Sequence, residues 1–192
     1  MYRSRGWTAF HIMVFGLVGT AVLLAAPGSN RAFYDPVDEE GAVVNIDVIF
    51  SPGGGCQERI AEEISNAEET LRIQAFYFTS RPITDAVVEA KKRGVDVKVI
   101  LDKSQEKMTY GSWRILKREG IPIYFDSKHA TANNKIVLID THTIITGSYN
   151  FTKAAEEKNA ENVLIIKHAP ELFEKFDENF EKHLKHSKRY SK

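Results

Sequence analysis

LRIQAFYFTSRPITDAVVEAKKRGVDVKVILD, residues 71–102, decides the architecture. Leu71 to Phe78 reads as a strand, Ile83 to Arg93 as a helix ended by Gly94 in the C-cap position, and Val95 to Leu101 as a second strand closed by Asp102. The alternation continues outward on both sides. Upstream lie a strand from Val43 to Phe50, the turn SPGGG at Ser51 to Gly55, and a helix from Gln57 to Ala67 with Ile60, Ile64 and Ala67 at helical spacing. Downstream come a helix near Tyr110 to Glu119 stopped by Gly120, a short strand from Ile121 to Phe125, and a loop from Asp126 to Ala132 that holds Lys128 and His129. Two apolar strands follow within residues 133–150, then FTKAAEEKN, helical or irregular, and a strand from Asn162 to Ile166. A last amphipathic helix runs from about Pro170 to Lys185, with Leu172, Phe173, Phe176, Phe180 and Leu184 as its apolar stripe, and the basic tail SKRYSK is expected to fray. The pattern predicts an α/β fold with a mixed, largely parallel sheet flanked by helices.

At 192 residues and 43% hydrophobic content the chain supports one sizeable core, placed at residues 42–192. Residues 1–26 join Arg3 and Arg5 to the apolar run IMVFGLVGTAVLLAA, the pattern of a signal peptide or an N-terminal membrane anchor, and residues 27–41 read as a linker. Arg3 and Arg5 favour a cytoplasmic N-terminus, so the domain is expected to be exported, either periplasmic or secreted, or anchored to the membrane through residues 9–26. Basic and acidic residues balance at 26 each, and without residues 1–26 the count is 24 against 26. No strongly basic field is available, so any nucleic-acid contact must come from a local groove. Cys56 is the single cysteine, which excludes an internal disulfide and a cysteine-rich zinc module.

Function concentrates in NNKIVLIDTHTIITGSYN, Asn133 to Asn150. Lys135 opens an apolar strand and Asp140 closes it, so alternation puts Asn133 and Lys135 on one face and Asp140 on the opposite parity. Lysine can neutralise phosphoryl oxygens, and Ser148 and Asn150, two residues apart, can present a hydroxyl and an amide to the same phosphate.

Written as N-x-K-x4-D-x6-G-S-x-N, the stretch resembles the HKD motif of the phospholipase D superfamily, with Asn133 where the family has histidine. FSPGGG at Phe50 to Gly55, AKKRGVDVKVILD at Ala90 to Asp102 and GSYNFTKAAEEKNAEN at Gly147 to Asn162 resemble the small Nuc-type bacterial endonucleases, which carry one motif per chain. Mitochondrial phospholipase D and its relatives are similar too, but typically add a Cys/His zinc module that one cysteine does not support. The resemblance implies phosphodiester cleavage without metal or other cofactor, through a phosphohistidine intermediate, on nucleic acid or, as the alternative, on membrane phospholipid. It further implies a homodimer, because each chain supplies only one motif and a second copy must complete the site. It assigns catalytic places to Asn133, Lys135, Asp140 and Glu161 and phosphate contacts to Lys135, Ser148 and Asn150. Glu161 matches a family acid that orients the motif histidine, while parity makes Asp140 a support for the strand-turn geometry.

Asn133 cannot serve as that histidine, since an amide nitrogen is not nucleophilic near neutral pH and does not titrate between about pH 5 and 8. Losing a catalytic nucleophile costs on the order of a millionfold in turnover, so this sequence is expected to bind phosphodiesters and hardly cut them. His129 and His142 lack a lysine two residues on and read as loop or surface histidines. An engineered inactivating change and a natural non-catalytic relative both fit Asn133; the intact Lys135, Ser148, Asn150 and Glu161 favour the first.

Overall fold

Strand alternation and helical spacing produce the expected succession of elements in the computed structural model, in which residues 43–191 are described. The expected export segment at 1–26 and the linker at 27–41 lie outside the described residues. In chain order the elements are β1 (Asn45–Ser51), α1 (Cys56–Ser65), β2 (Thr70–Ala75), α2 (Arg81–Lys92), β3 (Asp96–Asp102), a short 3-10 helix (Lys103–Lys107) and α3 (Trp113–Arg118). They continue as β4 (Ile123–Asp126), β5 (Lys135–Ile139), β6 (Thr143–Gly147), α4 (Lys153–Glu157), β7 (Glu161–Lys167), α5 (Pro170–His186) and β8 (Lys188–Arg189).

The crossover at residues 71–102 forms for local reasons. The Ser80 hydroxyl accepts the Ile83 amide at 3.4 Å to cap α2, Pro82 sits in its first turn, and Lys91 and Lys92 complement the dipole in its last. Gly94 leaves the helix at φ 103°, a backbone conformation that glycine adopts without a Cβ penalty. The chain then returns as β3, parallel to β2.

The sheet order is β1-β7-β6-β5-β2-β3-β4-β8. Only β2–β3 and β3–β4 are parallel; β1–β7, β7–β6, β6–β5, β5–β2 and β4–β8 are antiparallel. The sheet is mixed and flanked by helices as expected, but it is mostly antiparallel, which corrects the expectation of a largely parallel one. Asp140 to His142 alone connect β5 to β6, and a parallel pair needs a crossover of a dozen residues or so. One face packs α1, α2 and α3 through Ile60, Ile64, Val87 and Leu116 onto Leu71, Ile73, Val97 and Val99. On the other, Phe173 and Phe180 of α5 cover Ile100, Ile136, Leu138 and Ile144.

Residues 187–190 of the basic tail do not fray. Lys188 and Arg189 pair with β4, the Tyr190 amide donates to the Ile123 carbonyl at 2.8 Å, and the Tyr190 ring lies 5.0 Å from Trp113 and 6.1 Å from Phe125, centroid to centroid. One aromatic docked on two others outweighs the entropy that a charged terminus otherwise keeps.

Asp140 stands where β5 turns, with φ 53°. Its carboxylate accepts the Glu69 amide at 2.8 Å, the Thr70 amide at 2.9 Å and, more weakly, the Glu68 amide at 3.3 Å. The Asp140 amide and carbonyl bond the Thr70 carbonyl and hydroxyl, at 2.9 and 3.1 Å. Burial pushes the Asp140 carboxyl up, but the three amides outweigh it and hold it below the usual carboxylate range. Its stabilising contribution is therefore complete above the unfolded-state pKa and is lost as pH falls through the lower folded value. Asp140→Ala should lower unfolding stability by about 1–3 kcal/mol at pH 7. Urea melts of the variant and wild type should converge as the pH drops below the carboxylate range.

Candidate phosphate-binding site

Four strand ends meet at one end of the sheet. β2 finishes at Ala75 opposite Lys135, which starts β5; β6 finishes at Gly147, and β7 starts at Glu161 one residue before the Asn162 carbonyl that accepts the Ser148 amide at 3.2 Å. Parity sets the direction of the side chains. Val137 and Ile139 of β5 and Val163 and Ile165 of β7 all enter the core beneath α1, α2 and α3, so Lys135 and Glu161 belong to that same face.

Gly147 permits the close approach of β6 to β7. At φ 149° it has no room for a side chain, because a Cβ there would overlap the Asn162 carbonyl. The glycine of the motif is thus a packing requirement. The Ser148 hydroxyl donates to Glu161 Oε2 at 2.6 Å and accepts the Asn162 amide at 3.1 Å. Asn159 Nδ2 donates to Glu161 Oε1 at 3.0 Å, so both carboxylate oxygens are engaged.

Lys135 Nζ donates to the Asn133 backbone carbonyl at 2.9 Å and to the Asn133 side-chain oxygen, and it lies 5.5 Å from the centroid of the Phe76 ring. Burial pushes the Lys135 ammonium pKa down, while the negative charge of Glu161 opposes that shift. A partly desolvated cation suits an oxyanion, whose attraction grows as water is excluded. Asn150 adds an amide whose oxygen is buried without a hydrogen-bond partner.

Of the residues singled out in the sequence, Asn133 and Lys135 are in contact, Ser148 and Glu161 are in contact, and Lys135 and Glu161 interact electrostatically. Asp140 is not part of this group. It lies at the other end of β5, roughly 16 Å along the strand from Lys135, bracing the turn before β2. Neither loop histidine lies free: His129 Nδ1 is 2.9 Å from an Asp126 oxygen and His142 Nδ1 is 2.9 Å from the Thr143 hydroxyl. Sequence reasoning missed Phe76, Asn159 and Asn162. The GSYNFTKAAEEKNAEN segment contained both asparagines, but their contacts depend on how β7 pairs with β6, which spacing alone does not state.

Comparison with known proteins agrees with this geometry. Residues 60–184 match the family described as "Cardiolipin synthase, PLD-like domain". A protein named Phospholipase D from Rickettsia felis is 39% identical over 135 residues, spanning 70% of this chain and 67% of its own length. Human mitochondrial cardiolipin hydrolase is 29% identical over 163 residues, which are 85% of this chain and 61% of that protein. The crystal structure of Nuc from Salmonella typhimurium, a phospholipase D family member, superposes with a TM-score of 0.73 at 35% identity, covering 78% of this chain and 99% of Nuc. With the matched family spanning most of the described residues, the chain belongs to the PLD-like domain family, within the phospholipase D superfamily of phosphodiester hydrolases.

Proposed function

We propose that this chain is a phosphodiester-binding domain of metal-independent nuclease design, acting on DNA or RNA in its catalytic form and disabled here by Asn133. The carrying observation is the partly desolvated Lys135 at the sheet end shared with Ser148 and Glu161, a charge pattern suited to one phosphodiester group. Coverage of 99% of Nuc supports a unit built with one motif per chain. A homodimer then brings two such motifs together across a two-fold axis.

In the catalytic form, a histidine at position 133 attacks phosphorus while the partner histidine gives its proton to the departing oxygen; water then releases the phosphoryl group from the first histidine. Lys135 and the Ser148 hydroxyl meet the charge that builds on the phosphoryl oxygens. Residues 1–26 are assigned to export or anchoring. A phospholipid substrate is the second reading, favoured by the names of the Rickettsia and human relatives, Phospholipase D and mitochondrial cardiolipin hydrolase.

Asn133→His should raise cleavage of DNA or RNA by several orders of magnitude over the chain as it stands, with EDTA present. Headgroup release from phospholipid vesicles with nucleic acid untouched would move the assignment to the second reading, and inertness on both would overturn the catalytic one. The chain with Asn133 should still bind short single-stranded DNA with salt-dependent affinity, and Lys135→Ala should weaken that binding by about tenfold or more in filter-binding assays. Light scattering on residues 42–192 should return the dimer mass at micromolar concentration; a monomer that cleaves after Asn133→His would exclude the shared site.

A further inference from the structure

Three imidazoles converge on one carboxylate oxygen beside the last turn of α5. Asp126 closes β4 with a fully buried side chain, His129 follows in the next loop, and His183 and His186 belong to the end of α5. Asp126 Oδ2 lies 2.9 Å from His129 Nδ1, 2.8 Å from His183 Nδ1 and 3.2 Å from His186 Nε2. The three ring centroids stand 4.8, 5.2 and 5.1 Å apart. Oδ1 is already occupied by the Lys128 and His129 backbone amides, at 3.0 and 3.4 Å.

Hydrogen bonding alone accounts poorly for this arrangement. Five nitrogen donors compete for a carboxylate with about four lone-pair positions, and three of them address a single oxygen. Protonating the rings to strengthen the contacts would crowd like charges at separations of about 5 Å. A divalent cation removes both conflicts, because neutral imidazoles then turn lone pairs inward and the carboxylate oxygen becomes a fourth ligand.

The four donor atoms lie within 4.8 Å of one another. Tetrahedral zinc with bonds near 2.0–2.1 Å has donor–donor edges of roughly 3.3 Å. The observed oxygen–nitrogen separations fall within about 0.5 Å of that edge, while separations within the set reach up to about 1.5 Å beyond it, so binding draws the rings together by side-chain rotation. Three nitrogens and one oxygen suit zinc better than the all-oxygen shells of magnesium or calcium. The ligand spacing, Asp-x2-His on the loop and His-x2-His on the helix, needs no cysteine.

We propose that Asp126, His129, His183 and His186 form a structural zinc-binding site. Four protein ligands leave no open position for water or substrate, so the ion serves to hold α5 to the end of β4. The same ion would fix the loop that leads to Asn133. That loop is pinned again where Lys103 Nζ donates to the His129 carbonyl at 3.0 Å, where the Ala132 amide donates to Asp102 at 2.8 Å, and where the Phe76 amide donates to the Asn134 carbonyl at 3.0 Å. The site is distinct from the Lys135 cluster and stands whether or not the domain cleaves phosphodiesters.

The test uses the full chain without a histidine tag, equilibrated with Zn2+ and freed of excess metal by gel filtration. It should retain about one zinc per chain by mass spectrometry, and Co2+ in its place should give the intense visible absorption of a four-coordinate site. The double variant H183Q/H186Q should lose the metal. Chelation should lower the melting temperature of the wild type by about 5 °C or more and leave that of the double variant unchanged. Zinc retention below about a tenth of an equivalent by the wild type, cobalt bands of six-coordinate weakness, or unchanged uptake by H183Q/H186Q overturns the proposal. Should H183Q/H186Q fail to fold, the wild-type stoichiometry and cobalt spectrum decide the question alone.

Discussion

β2 bonds differently along its two edges, and that constraint organises the rest of the fold. Its edge toward β3 is parallel and requires the α2 crossover; its edge toward β5 is antiparallel and opens the run β5-β6-β7-β1. Because β2 and β5 run in opposite directions, the end of one coincides with the start of the other. Lys135 therefore begins its strand where β2 finishes, and the end of β6 and the start of β7 arrive at the same margin. A fully parallel sheet would have separated these groups by the length of a strand.

The parts of this arrangement legible in the sequence were those governed by nearest neighbours. Gly94 and the Val95 to Leu101 alternation each specify conformation within a few residues, so the crossover could be read directly. Strand direction was not legible in the same way, since an alternating apolar run fits either kind of ladder. The short interval from Asp140 to His142 was the one local clue to an antiparallel hairpin. Tyr190 was read as part of a charged tail because its slot between Trp113 and Phe125 exists only after β4 and α3 have packed. The Asp126 cluster was hidden for a similar reason: its side chains come from two segments far apart in sequence, and each pair looks like ordinary solvated residues until α5 lies across the sheet.

The candidate site was more legible than the fold around it, because motif spacing singles out its residues even where the pairing is unknown. Lys135, Ser148 and Glu161 were identified and do cluster. Asp140, set on the opposite parity in the sequence, stands apart from them by the length of β5, and its three amide contacts explain why a carboxylate occupies that turn. What spacing could not convey was how the polar groups satisfy one another. Glu161, matched to an acid that orients a histidine, has its oxygens bound by Ser148 and Asn159.

The contact between Lys135 and Asn133 has a thermodynamic side. A phosphate bound as proposed would not meet a bare ammonium; it would meet one whose protons already rest on an amide oxygen and a backbone carbonyl tethered two residues away. Binding is then an exchange, in which the incoming anion displaces an acceptor present at very high effective concentration. On the proposed reading, an affinity measured with asparagine at position 133 would report the difference between two contacts made by the same lysine, and so would understate the intrinsic attraction of Lys135 for phosphate.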